Sequence, residues 1–129
     1  MDAMPRREPA FEAESEAYAL FQRGVDFLRE RHPAQAAMLL AQALSLEPGK
    51  SSIREALGRA EFALGRHGTA AARFRDVLED APDNDYAHYA LGRCSLALGR
   101  PDEARAHLRL AHALKPHSDL YREALDALG

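Results

Sequence analysis

The chain has 129 residues, a formal net charge of −3 and a hydrophobic fraction of 47%. This length suits one domain, and the apolar fraction is too high for a chain that is mainly disordered. The slight acidic excess lacks the basic footprint that binds phosphate backbones, so we expect no nucleic-acid partner.

The N-terminal segment does not have the pattern of a targeting signal. It contains Arg6 and Arg7 but then becomes acidic instead of apolar, unlike a secretory signal. No apolar run approaches the roughly 20 residues needed to cross a membrane. Cys94 is the single cysteine, which excludes an intrachain disulfide and suits a reducing compartment. These features predict a cytoplasmic protein without a membrane partner, in which residues 1–10 form a disordered tail.

A repeat with a period of 34 residues dominates the sequence, since ALGRAEFALGR at 56–66 returns as ALGRCSLALGR at 90–100. A fixed period of this size indicates stacked supersecondary units. Alignment at this period gives three units, residues 17–50, 51–84 and 85–118. The residues in register are Gly24, Gly58 and Gly92; Ala36, Ala70 and Ala104; Leu40, Phe74 and Leu108; and Pro48, Pro82 and Pro116.

Each unit has the pattern of two helices. In the second unit, apolar residues recur every three to four positions over 57–64 and again over 70–78, as they do on one face of an α-helix. Glycine between such stretches ends a helix, and proline suits the first position of the next one. The glycines are Gly65 and Gly99, and the prolines are Pro33 and Pro101. The spacing predicts an antiparallel helix pair in each unit.

The glycines in mid-helix require a compensating contact, because each costs about 1 kcal/mol relative to alanine. We expect each to face the alanine of the partner helix, so that the two backbones approach closely. The expected pairs are Gly24 with Ala36, Gly58 with Ala70, and Gly92 with Ala104.

The unit resembles that of the tetratricopeptide repeat family. The family has a small residue at position 8, alanine at 20, a large apolar residue at 24 and proline at 32, and all three units match at these positions. The family's aromatic residue at position 11 is present as Phe27, whereas Glu61 and Ser95 replace it in the later units. We expect Phe62 and Leu96 to supply the missing bulk.

The resemblance implies an all-α fold, a right-handed superhelical solenoid of antiparallel helix pairs with about seven helices. We expect a single domain over residues 11–129, with a cap helix at 119–128 that has Ser118 or Asp119 as its N-cap. A cap is needed because the terminal units of a solenoid must present a polar outer face. Arg23 supplies polarity at the first unit, where the later units have leucine.

Three motifs that could carry chemistry have simpler interpretations. The segment PGKSS at 48–52 lacks the first glycine of a phosphate-binding loop, since Leu44 stands there. His107 and His112 lie on different helix faces, so we interpret the histidines as surface residues and not as metal ligands. Cys94 aligns with an alanine and is expected to be a small buried residue. The sequence therefore predicts that the protein has no catalytic residue, binds no metal or cofactor, and is not an enzyme.

Family members commonly bind extended peptides or partner helices in a concave groove lined by the first helix of each unit. The resemblance implies that positions 2, 5, 9 and 12 of each unit face this groove. These positions hold Tyr18, Phe21, Val25 and Leu28, then Ser52, Glu55, Arg59 and Phe62, then Tyr86, Tyr89, Arg93 and Leu96. Tyrosine and arginine carry much of the binding energy in interfaces, although Glu55 and Arg59 are spaced to pair with each other.

We therefore expect an adaptor that binds a peptide or helical segment of a protein partner. The predicted binding residues are Tyr18, Phe21, Val25, Glu55, Arg59, Tyr86, Tyr89 and Arg93. Arg59 and Arg93 should favour an acidic segment, while Phe21 and Val25 form an apolar end. The alternative is a structural subunit that self-associates or joins a larger assembly through its ends or convex face. The expected state is a monomer or weak homo-oligomer.

One known function of the family is not implied. Its co-chaperones grip the C-terminal carboxylate of heat-shock chaperones with a clamp of Lys, Asn, Asn, Lys and Arg. The corresponding residues here are Phe21, Val25, Ala56, Tyr86 and Ala90, none of which matches.

Overall fold

The computed structural model describes Glu12 and residues 15–129, so the tail expected at 1–10 lies outside the described residues. Within the described part of the chain there are seven α-helices and no strand, which confirms the all-α fold. The helices are α1 (Glu16–Arg29), α2 (Pro33–Leu46), α3 (Ser51–Ala63), α4 (His67–Asp80), α5 (Asp85–Ala97), α6 (Pro101–Leu114) and α7 (Asp119–Asp126).

The helices pack mainly against their neighbours in sequence. The three pairs α1 with α2, α3 with α4 and α5 with α6 form the closest associations, and α2 with α3, α4 with α5 and α6 with α7 join them into a stack. Packing restricted to neighbours defines a helical solenoid. The predicted solenoid is confirmed.

Side-chain caps and prolines start five of the helices. The side chains of Ser15, Asn84 and Ser118 each accept a backbone N–H bond from the first turn that follows, at 3.0, 3.0 and 3.3 Å. Such bonds satisfy donors that have no partner inside the helix. Pro33 and Pro101 are the first residues of α2 and α6, as predicted.

The same turn ends the first helix of every pair. In each turn an N–H donates to the carbonyl five residues earlier, at 2.8, 2.9 and 2.8 Å, which is the Schellman arrangement. The residue at its centre has positive φ, 80° at Gly65 and 75° at Gly99. In the first pair the same place is taken by Arg31 with φ 63°. A side chain in this conformation costs about 1 kcal/mol.

The mid-helix glycines face the large residue at position 24 of the unit. A Cβ atom on Gly58 would lie 2.8 Å from Cζ of Phe74, and one on Gly92 would lie 2.8 Å from Cγ of Leu108. The predicted glycine–alanine contacts are therefore wrong in detail, because the absent Cβ makes room for a bulky buried side chain. In the third pair the carbonyl oxygen of Ala104 would also lie close to the added Cβ, at 3.3 Å.

Position 11 of the unit is buried in the two units where it is polar. Glu61 and Ser95 are both buried, whereas Leu96 is 41% exposed. The prediction that Leu96 supplies the missing bulk is therefore wrong. Phe62 is half-buried beside the core of the second pair.

The sequence predicts that the histidines are surface residues, and for His88 this prediction is wrong. His88 is buried, and its Nε2 lies 2.9 Å from the carbonyl oxygen of Pro82 while its Nδ1 lies 3.3 Å from Nδ1 of His107. A carbonyl only accepts, so Nε2–H of His88 donates to it and Nδ1–H of His107 donates to His88. Cys94 is fully buried, as predicted.

Opposite ends of the stack differ in what covers them. Arg23 is exposed on α1, where the later units bury Leu57 and Leu91. At the other end Tyr121 of α7 is buried, and its hydroxyl donates a hydrogen bond to Asp85. The last helix is thus tied to the start of α5, while its role as a solvating cap stays a prediction.

Candidate binding groove

A cavity of about 690 Å³ opens on the face formed by the first helices α1, α3 and α5. This volume lies within the range of small-ligand sites. The lining residues are Leu28 of α1, Arg31 of the turn after α1, Arg59, Phe62 and Ala63 of α3, Phe74 of α4, and Tyr86, Ala90 and Arg93 of α5. Apolar and aromatic side chains form much of the lining, and arginines supply its charge.

The cavity brings together three of the eight predicted binding residues, Arg59, Tyr86 and Arg93. The other five, which do not line it, are Tyr18, Phe21, Val25, Glu55 and Tyr89. Three of these five are on α1 and come before Leu28, which does line the cavity; they are Tyr18, Phe21 and Val25.

Among the predicted binding residues, Tyr89 differs most from its expected position in the groove. It is 9% exposed, and its ring centroid lies 5.2 Å from that of Tyr121 on the last helix. Its other ring neighbour is Tyr86, at 5.9 Å. Tyr89 is therefore covered by the rings of Tyr86 and Tyr121 and does not line the cavity.

The guanidinium of Arg93 lies over aromatic rings from two helices. Its Cζ is 4.5 Å from the ring centroid of Phe62 and 5.9 Å from that of Tyr89. Attraction between the cation and the ring faces holds the group in place, while the N–H donors lie in the guanidinium plane. Arg93 thus links α3 to α5 and presents a positioned cation to the cavity.

Arg59 forms no close ion pair with Glu55, which lies one turn before it on α3. Among the described residues, no carboxylate oxygen lies within 4.0 Å of its guanidinium. Burial raises the pKa of Glu55, while the charge of Arg59 and a hydrogen bond from the Asn84 side chain oppose this shift. Burial also raises the pKa of Tyr86, again opposed by Arg59.

Arg31 is the lining residue that sequence reasoning missed. It lies in the turn after α1, in register with Gly65 and Gly99. That register was itself the available signal, because an arginine at a glycine position of a turn is unusual. Phe74, expected in the core, also lines the cavity.

The arrangement suits a ligand that carries both negative and apolar groups. Arginine binds carboxylate and phosphate oxygens through paired N–H donors. The rings of Phe62, Phe74 and Tyr86 offer apolar surface beside these donors. Within the part of the chain that the structure describes, no group of three or more metal-ligating side chains is assembled.

Family comparisons agree with the fold. Tetratricopeptide repeat families match residues 61–128 and 21–72. The first of these matches covers more than half of the chain, which therefore belongs to the tetratricopeptide repeat family. No match was found among curated protein sequences. No helix in the described part of the chain is long and apolar enough to cross a membrane.

Several solved structures are similar along most of their length. The Arabidopsis OM64 TPR domain has a TM-score of 0.83 at 19% identity, with 87% of this chain and 93% of that chain covered. The first TPR of Spaghetti (RPAP3), bound to the HSP90 peptide SRMEEVD, gives 0.82 at 16% identity and coverage of 88% and 90%. The second TPR domain of human RPAP3, in complex with the HSP70 peptide SGPTIEEVD, gives 0.80 at 15% identity and coverage of 87% and 93%. At these identities the similarity shows the fold.

Proposed function

We propose that this chain is a non-enzymatic, cytoplasmic protein-interaction module that binds a peptide or helical segment of a partner in its concave groove. The observation that carries the proposal is the cavity of about 690 Å³ between α1, α3 and α5. Its lining combines positioned cations with aromatic surface, which are the residue types that dominate interface energies. The peptide complexes of the two similar RPAP3 domains support the same mode of use.

The bound segment extends, in this proposal, from the cavity along α1. Phe21 and Val25 are half-buried on that helix and would receive an apolar side chain. Arg59 and Arg93 would receive an acidic one at the other end. This polarity, with charge toward the second and third pairs, is the orientation expected from the sequence.

The groove does not act as a carboxylate clamp in this proposal. Two of the five clamp positions hold Ala56 and Ala90, which are buried and carry no polar group. Two others hold Phe21 and Val25. The RPAP3 domains bind peptides that end in EEVD, whereas the arginines of this chain lie at other positions of the unit.

A cavity-filling variant tests the groove. Peptides selected from a random display library against the intact chain should lose affinity at least about tenfold in Ala63→Trp, because the indole occupies the cavity. Ala72→Trp is the matched control, since Ala72 is an exposed alanine on α4 outside the cavity. Equal effects of the two substitutions would place the binding surface elsewhere.

A self-associating structural subunit is the second candidate. It is favoured by large apolar side chains that are exposed outside the groove lining, namely Met38, Leu46, Leu110, Leu114 and Leu120. Light scattering during size-exclusion chromatography separates the candidates. A monomer at micromolar concentration favours the interaction module, and a stable oligomer favours the subunit.

A further inference from the structure

We propose that the groove recognises a pair of negative charges close together on the bound segment, through Arg31, Arg59 and Arg93. A phosphorylated side chain or two neighbouring carboxylates would supply this chemistry. The inference rests on the proposed peptide-binding function and names the kind of segment that the groove selects.

The first argument is the charge of the cavity. Three arginines line it, and no acidic residue of the described part of the chain does. Among the described residues, none of the three has a carboxylate oxygen within 4.0 Å. The chain as a whole is acidic, with a net charge of −3, so this concentration of cations does not reflect a general basic excess.

The number of arginines indicates more than one negative charge. A single carboxylate is satisfied by one guanidinium that donates two parallel hydrogen bonds. A phosphoryl group has close to two charges and three acceptor oxygens at neutral pH, and arginine clusters are its usual protein partners. Two adjacent carboxylates present a similar density of charge.

The conformation of Arg31 is the second argument. The turns of the other two pairs use glycine, with φ of 80° and 75°, and the fold makes the same turn with Arg31 at φ 63°. The fold alone therefore gains nothing from a side chain at this place. Strained residues of this kind persist where the side chain serves a site, and this side chain lines the cavity.

Preorganisation of Arg93 is the third argument. Arg93 is held over the ring of Phe62, with Cζ 4.5 Å from the centroid, so little freedom is lost when it binds an anion.

Three sets of short synthetic peptides test the inference on the full chain. All have degenerate neutral residues around a fixed centre, which is phosphoserine, Glu-Glu or Gln-Gln. We expect both charged sets to bind at least about tenfold more tightly than the Gln-Gln set, with a difference that shrinks as salt rises. The tighter of the charged sets identifies the source of the charge.

Arg31→Gly is the decisive variant, because glycine occupies the same turn in the other pairs and the helices should form normally. It should weaken binding of the charged sets about tenfold and weaken binding of the Gln-Gln set much less. The matched control is Arg109→Ala, an exposed arginine on α6 outside the cavity and without an ion pair among the described residues.

Failure of the inference and failure of the proposed function give different results. If all three sets bind equally and Ala63→Trp weakens them equally, the groove binds peptides without selecting charge, and the inference is wrong. If no set binds, both the inference and the peptide groove are wrong. If Arg31→Gly and Arg109→Ala weaken binding of the charged sets equally, the peptides are attracted by the overall surface charge and not by a specific site, and the inference is wrong.

Discussion

The buried carboxylate of Glu61 receives two hydrogen bonds from the guanidinium of Arg73, at 3.1 Å to Oε1 and 3.2 Å to Oε2. The pair joins α3 to α4 at the position where the first unit has Phe27. Removing one partner leaves a buried charge unpaired. Arg73→Met should therefore lower the free energy of unfolding by about 2 kcal/mol, at the low end because the arginine side chain is 32% exposed.

A double variant separates pairing from packing. Glu61→Leu combined with Arg73→Met removes both charges and should recover most of the stability lost in the single variant, since apolar pairs can replace buried ion pairs. Urea unfolding of the three proteins measures this. Equal loss in the single and double variants would show that the unpaired charge of Glu61 is not what destabilises the single variant.

Gly92 tests the close approach of α5 and α6. An added Cβ would meet both Cγ of Leu108 at 2.8 Å and the backbone oxygen of Ala104 at 3.3 Å. Gly92→Ala should destabilise the fold by about 1–3 kcal/mol, because the backbone oxygen cannot move aside easily. Gly68→Ala is the control, since nothing lies within 4 Å of its added Cβ. It should instead stabilise by about 0.5–1 kcal/mol, and thermal unfolding reports both.

Replacing Arg31, which has positive φ, with glycine should change the stability of the ligand-free protein. Arg31→Gly is expected to raise the free energy of unfolding by about 1 kcal/mol, because glycine adopts φ 63° without a Cβ clash. Gly65→Ala, which creates the strain in the second pair, should lower it by a similar amount. A loss of stability in Arg31→Gly would show that the side chain holds the turn through its contacts.

The contact between His88 and His107 should make the fold sensitive to acid. Burial, followed by the charges of His88 and Arg75, lowers the pKa of His107 below its ordinary value of 6.5, and Glu103 opposes this. The unfolded chain then binds the proton more readily than the folded one. Stability from this source is therefore present above pH 6.5 and is lost as the pH falls below it.

The measurement is the free energy of unfolding between about pH 5 and pH 7.5, a window that brackets the ordinary histidine pKa. His107→Gln, whose amide can still donate to His88, should show a smaller loss on acidification. His117→Gln, at an exposed histidine after α6, should keep the wild-type slope. If the wild-type protein and both variants lose the same stability on acidification, His107 is not the source of the pH dependence.

Cys94 should react only when the fold opens. Burial raises the pKa of the Cys94 thiol to about 11, and the side chain is fully buried. Since the thiolate is the reactive form, alkylation at pH 8 should be at least about 100-fold slower in buffer than in urea. Ala63→Cys, at an exposed position, provides the rate of an accessible thiol. Rapid labelling of native Cys94 would indicate frequent opening of α5.

Helices and their ends could be predicted from sequence because the signals are local. Pro33 and Pro101 start helices through their fixed φ, and Gly65 and Gly99 end them through positive φ. Arg93, selected by its repeat position, lines the cavity, while its place in a binding groove stays a prediction. In each case the residue and its neighbours along the chain carry the information.

Contacts between helices could not be predicted in the same way. Glu61 stands where the family has an aromatic residue, and its burial depends on Arg73 reaching across from α4. Tyr89 has the repeat position of a groove residue but is covered by Tyr121 of the last helix. The burial of Glu61 depends on the reach of the Arg73 side chain, and the burial of Tyr89 depends on the presence of a following helix. The 34-residue repeat pattern predicts neither.

Packing of each helix mainly on its sequence neighbours has a kinetic consequence. Contacts of this kind close short loops, so the chain has little entropy to lose before native interactions begin to stabilise it. Topologies with low contact order fold in microseconds to milliseconds. Since any helix pair can nucleate and its neighbours can then add one at a time, this chain should fold quickly and should open from its ends inward.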